Sequence, residues 1–222
     1  MFEDYPEEPT DTAKINSDKY GGKLIGENEM GSVHIHGPYG NKNSKVKIAY
    51  LIGMHPLESK SHRALFDTIL SKDASLNNEY YIYNINVKKE IDKETEGRMD
   101  GQKLAKEFVV PHVTGEKYNF AVDIHANKGK VGPGKYKESN FVFAPGFDEE
   151  SEKYMNILLE KIEEIVYYAP EYRTSPPYMT LPILESGIPT IVYETFSYEP
   201  MSKTYDLAYK LVETIDNIKF NK

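Results

Sequence analysis

Apolar positions along the chain follow two periods that take turns. Val, Ile, Tyr and Phe crowd into runs of strand length at residues 33–35, 46–52, 80–87, 119–124, 141–144 and 190–193. Between these runs the apolar residues fall three or four apart. Ala64, Leu65, Ile69 and Leu70 predict one helix, and residues 102–110 predict a second that stops at Pro111. Tyr154, Ile157, Leu158, Ile162, Ile165 and Val166 stripe a helix over 149–168, and residues 202–218 form the closing one. A short helix over 178–186 should end at Gly187, which suits the left-handed turn past a helix terminus. Residues 33–35 and 46–52 read as a strand pair around the turn-rich Gly37-Pro38-Tyr39-Gly40-Asn41. Residues 88–96 read as a charged exposed loop and 128–135 as a glycine-rich one. Residues 1–20 are polar and aperiodic, a loose N-terminal arm, leaving 21–222 for the folded domain. Strands alternating with helices predict an α/β fold. The expected form is a single-domain three-layer sandwich, its mixed, largely parallel sheet covered by helices on both faces.

Composition narrows the chemistry. With no cysteine among 222 residues, disulfides, thiolate ligands and a cysteine nucleophile are excluded, so a metal site must use His, Asp and Glu. The net charge of −8 argues against a nucleic-acid surface, and an anionic substrate would need local cations. The 18 Tyr and 9 Phe, without Trp, suit half-buried or pocket-lining positions. The start is acidic and proline-containing, unlike a signal peptide, and no run approaches transmembrane length, so a cytoplasmic protein with no membrane partner is expected.

His55 and Glu58 follow the 46–52 strand and His125 follows the 119–124 strand. Two imidazoles and a carboxylate are what a catalytic Zn²⁺ asks of its protein: three ligands and one open position. Glu194 ends the 190–193 strand after Ile191 and Val192, where desolvation would raise its proton affinity. That suits a general base for an attacking water. All four lie at the carboxyl ends of predicted strands, where open α/β sheets place their sites. Asp123 shares a strand face with His125 and could orient its imidazole. His34 and His36 also share a face, but lack a nearby carboxylate and read as half-exposed strand histidines rather than a second metal site.

Taken together, Gly53-x-His55-x-x-Glu58 after a strand, Asp123-Ile124-His125 at a strand end, and Gly187-Ile188-Pro189 leading to Glu194 resemble the zinc carboxypeptidase superfamily. Within it the chain is most similar to the compact succinylglutamate desuccinylase/aspartoacylase-like branch, over residues 46–218. The resemblance implies one Zn²⁺ per chain on His55, Glu58 and His125, Glu194 as general base, and Arg98 polarising the scissile carbonyl. It also implies hydrolysis of an amide bond in a small-molecule N-acyl amino acid or a peptide. An Asn-Arg pair that grips the substrate carboxylate in that branch is missing, replaced by Gln102-Lys103-Leu104-Ala105-Lys106. Lys103 or Arg173 could substitute as cations. Tyr178, Tyr193 and Tyr198 are candidates for lining the pocket, with Tyr198 able to donate to a tetrahedral intermediate. The rival reading is a noncatalytic binding module on the same fold with a lost or structural metal.

Overall fold

Strand β3 (Lys47–Ile52) carries the logic of the sheet. Ile48, Tyr50 and Ile52 join one hydrophobic cluster while Ala49 and Leu51 join another, because successive side chains point to opposite faces. A strand apolar on both sides belongs in the middle of a parallel sheet covered twice. The computed structural model describes residues 15–88, 97–132, 134–171 and 173–220, and β3 lies at the centre of an eight-stranded sheet. The other strands are β1 (Lys23–Asn28), β2 (Gly31–Gly40), β4 (Glu79–Val87), β5 (Phe120–Asn127), β6 (Phe141–Phe143), β7 (Val166–Tyr167) and β8 (Thr190–Phe196). Their order is β1-β2-β4-β3-β5-β8-β6-β7. The central four, β4, β3, β5 and β8, are mutually parallel; β2 and β6 flank them antiparallel.

Three helices cover one face: α1 (Ser59–Lys72), α4 (Glu149–Lys161) and α6 (Met201–Asp216), through residues such as Phe66, Leu158 and Leu211. The other face is covered by α2 (Arg98–Leu104), α3 (Val110–Gly115) and α5 (Thr180–Glu185), through Leu104, Val113 and Ile183. The three-layer α/β fold is therefore as expected. Among the described residues no helix is long and apolar enough to cross a membrane.

Five local expectations change. β2 does not pair with β3; it lies between β1 and β4, and the turn-like Gly37-Pro38 lies within β2 as a cis peptide beside a register shift. The helix expected to stop at Pro111 continues through it, because five residues of π-helix, Ala105–Val109, precede the proline. The wider turn accommodates a ring that lacks an N–H and would crowd the carbonyl four residues back. The helix over 149–168 ends at Lys161, and its last apolar residues become extended chain and β7; Ile162 and Ile165 fill the same core either way. His36 is buried rather than half-exposed, its Nε2 3.0 Å from Ser17 Oγ. Ser17 and Ile15 are themselves buried, so residues 15–20 of the expected arm pack on the domain. Residues 1–14 of that arm, and 89–96 of the expected charged loop, lie outside the described residues.

Candidate metal centre and its cleft

The carboxyl ends of β3, β5 and β8 meet at one place because the chain turns sharply after β3. Gly53 has φ 86°, and a Cβ there would collide with the Ile85 carbonyl on β4, so a glycine is needed to leave the sheet. The chain then passes through His55 into a single 3₁₀ turn, Pro56–Glu58, which runs directly into α1. That turn brings Glu58 back under His55, with Nδ1 2.9 Å from Glu58 Oε1. His125 comes from β5, and its Nδ1 lies 2.8 Å from Glu58 Oε2. The same oxygen accepts from the Ala126 backbone N–H at 3.1 Å. His125 and Glu194 are register partners on adjacent parallel strands, so the sheet itself sets Glu194 beside the second imidazole.

His55, Glu58 and His125 are all buried, and one ligand atom from each lies within 4.8 Å of the others. Ligand atoms around a tetrahedral ion stand about 3.3 Å apart when bonds are about 2.0 Å long. The two His–Glu separations are already of that order. The remaining ring nitrogens are spoken for as a metal ligand requires. His125 Nε2 lies 2.8 Å from Asp123 Oδ2, the partner expected from the shared strand face. His55 Nε2 lies 3.5 Å from the Gln102 amide, which also meets Thr174 Oγ1 at 3.2 Å. With its carbonyl turned to that side, Gln102 would accept from His55 Nε2–H and relieve Oε1, which is buried without a partner as placed. This nitrogen, carboxylate, nitrogen set fits a divalent ion such as zinc.

The protonation states agree with an electron-rich site. Burial opposes a charge on His125, yet the Asp123 and Glu58 carboxylates outweigh it and hold the imidazole pKa well above its ordinary value. Burial would raise Glu58, but His55 and His125 keep it well below the usual carboxylate range. His55, desolvated and beside a second imidazole, falls to about 4 despite Glu58, leaving it neutral. Glu194 behaves differently. Burial, with Glu58 adding to it, pushes its pKa to about 7 against the pull of His125. Asn127 Nδ2 donates to Glu194 Oε2 at 3.1 Å, which fixes that oxygen.

His55, Glu58 and Glu194 line a cleft of about 290 Å³ that also takes in Arg98, Asn127, Lys128, Tyr136, Phe143, Arg173, Thr174 and Val192. Arg98 is the first residue of α2 and donates from Nη1 to Glu58 Oε1 at 3.3 Å. Gly101 lets α2 approach this closely, since a Cβ there would strike the Met54 carbonyl. Of the other residues singled out from the sequence, Arg173 reaches the cleft. Lys103 is exposed and Tyr198 packs edge-on against Phe196; neither is in the lining. Tyr193 is buried in the core and Tyr178 follows Pro177 in a 3₁₀ turn away from the lining. Asn127 and Gln102 are site residues that sequence reading missed. Asn127 stands two residues past His125 on the same strand face, and Gln102 four past Arg98 on one helix; those spacings were the available signal.

No protein-family profile matches the chain, and no curated protein does. Solved structures do. A metallo-carboxypeptidase from Burkholderia cenocepacia superposes with a TM-score of 0.54 at 12% identity, covering 87% of this chain and 62% of that one. A metallo-carboxypeptidase from Pseudomonas aeruginosa, in complex with (2-guanidinoethylmercapto)succinic acid, gives 0.52 at 12%, over 88% and 62%. The mDAP-bound form of Helicobacter pylori Csd4, a D,L-carboxypeptidase, gives 0.58 at 12%, over 84% and 56%. The fold is that of a metallo-carboxypeptidase, and this chain spans about three fifths of the length of these structures.

Proposed function

We propose that the chain is a zinc-dependent hydrolase of amide bonds, acting on a peptide or an N-acyl amino acid. The observation that carries the reading is that the buried cluster of His55, Glu58 and His125 adjoins a cleft lined also by a carboxylate, Glu194, and a guanidinium, Arg98. A dead scaffold has no use for a base placed opposite a ligand set. His55, Glu58 and His125 would hold the ion. When bound, it supplies Lewis acidity to the scissile carbonyl and acidifies a water in its open position.

The protein's own groups account for the proton traffic and the positioning. Glu194 takes a proton from the attacking water on the oxygen opposite the one Asn127 holds, then returns it to the departing nitrogen. A carboxyl group poised near neutrality can do both. Arg98, which lines the cleft beside Glu58, would donate to the carbonyl oxygen as negative charge develops there. Asp123 and Gln102 keep the imidazole rings turned correctly.

Purified protein should contain one zinc per chain, and hydrolysis should be abolished by chelation and restored by zinc. A screen of N-acyl amino acids against short peptides separates the two substrate classes. Absence of stoichiometric metal, or hydrolysis indifferent to chelation, would overturn the reading.

A further inference from the structure

β5 outruns its neighbour β3 at the metal centre. Register pairing between the two ends at Leu51 and Asp123, just before β3 gives way to the turn at Gly53. On its other side β5 stays paired with β8 as far as Asn127 and Phe196. The β3-facing edge of β5 beyond Asp123 is buried, so its backbone groups must find partners from outside the sheet. Alternate residues of a strand present their backbone groups to the same edge. Ile124 and Ala126 therefore face the gap.

Two side chains of one short segment fill it. Glu58 accepts from the Ala126 N–H at 3.1 Å, and His62 donates from Nε2 to the Ile124 carbonyl at 2.9 Å. Lying four residues apart, the two side chains emerge on one side at the start of α1. The Gly53 N–H is 3.5 Å from the same His62 nitrogen, so the imidazole stands at the fork where β3 and β5 part. The Ile124 carbonyl belongs to the peptide before His125, and the Ala126 N–H to the peptide after it. Both peptides that flank this ligand are thus held.

His62 is buried and lies outside the lining of the cleft. Its neighbours on α1, Leu65, Phe66 and Ile69, are core residues. A polar ring among them is costly unless its nitrogen is used. We propose that His62 is a positioning residue for the metal centre: with Glu58 it clamps the two peptides around His125 and so fixes that imidazole against Glu58 and His55. This rests on the metal-site assignment of the amide-hydrolase reading. The role needs an N–H at one point rather than an imidazole as such. A glutamine amide nitrogen falls about where the imidazole Nε2 lies, asparagine stops short of it, and leucine fills space without a donor.

The test reads zinc affinity by competitive chelator titration, together with the visible absorption of the cobalt-loaded protein, on full-length chains whose fold is checked by circular dichroism. His62→Leu should weaken zinc binding about 10- to 100-fold, the scale for losing a group that orients a ligand, and should alter the cobalt bands. His62→Gln should restore both readouts to those of the unaltered protein, and His62→Asn should resemble His62→Leu. Ile69→Ala opens the core further along α1; it should lower the urea midpoint and leave both metal readouts unchanged. Unaltered zinc affinity and cobalt spectrum in His62→Leu would overturn the proposal. So would equal behaviour of the Gln and Asn variants, which would reduce His62 to core packing. Should His62→Leu fail to fold, the Gln and Asn pair decides alone. If the unaltered protein takes up neither zinc nor cobalt, the metal-site reading falls and takes the proposal with it. If metal binds and depends on His62 as stated while no amide is cleaved, the hydrolase reading fails and the positioning role holds.

Discussion

The two ends of the parallel strands bury carboxylates in opposite ways. At the amino end of β4, Asp216 closes α6 and is saturated by neutral donors. It accepts from the backbone N–H of Asn77 at 2.9 Å, from that of Asn78 at 3.1 Å, from the Asn77 amide at 2.9 Å and from the Tyr80 hydroxyl at 2.8 Å. Every one of these partners is a neutral donor held by the fold. At the carboxyl end, Glu58 is shared by two imidazoles, and among the described residues Glu194 is anchored through one oxygen, by Asn127. Burial alone does not mark a functional carboxylate. What marks it is burial against groups that can change their own protonation or ligation, at the edge of a cleft.

The sharpest way to break this contrast is to neutralise one carboxylate at each end. Glu58→Gln should abolish zinc binding at micromolar metal and lower amide hydrolysis about a thousandfold or more, while the protein stays folded by circular dichroism. Asp216→Asn should do the reverse. Its loss of charge-assisted bonds should cost about 2–3 kcal/mol in urea unfolding, with zinc content and turnover kept. If Asp216→Asn disturbed metal binding as much as Glu58→Gln, the two ends would not differ in kind.

Smaller effects sharpen the carboxyl end. Asp123→Asn leaves His125 in place but removes the anion that orients it, so zinc affinity should fall about 10- to 100-fold by competitive chelator titration. The pH dependence should be the mildest signature. Glu194 works as a base only when ionised, and burial raises its pKa to about 7. Activity should therefore rise with pH along an acid limb, about tenfold per unit. A bound divalent cation favours the carboxylate, so the limb should lie at or below about pH 7 in the zinc-loaded protein. A limb well above that value would point to a different base.

Much of the carboxyl end is legible in the amino-acid sequence itself. His55, Glu58, His125 and Glu194 each follow an apolar run of strand length, and strand ends in a parallel sheet converge. Asp123 is reachable through the two-residue period of a strand. What is not legible depends on partners distant in sequence. Strand order is one such feature: nothing in residues 33–35 and 46–52 says that β4 intervenes between them. β1 escapes notice because its six residues carry exposed and half-buried positions around Gly26 and lack a strong apolar run. The continuation of the helix through Pro111 depends on a π-helical stretch that local propensity does not announce. Arg173 differs from Lys103 only by which one the fold turns toward the cleft; as sequence, both are lone cations.

Whether Glu194 exchanges protons at a metal-bearing reaction centre is measured most directly by the amide-hydrolysis kcat of wild type and Glu194→Gln at equal zinc content. The two side chains are nearly isosteric and the ligand set is untouched, so both proteins should carry one zinc per chain. A fall of about a thousandfold in kcat is expected, within the range for loss of a general base. Equal rates at equal zinc occupancy would contradict that role.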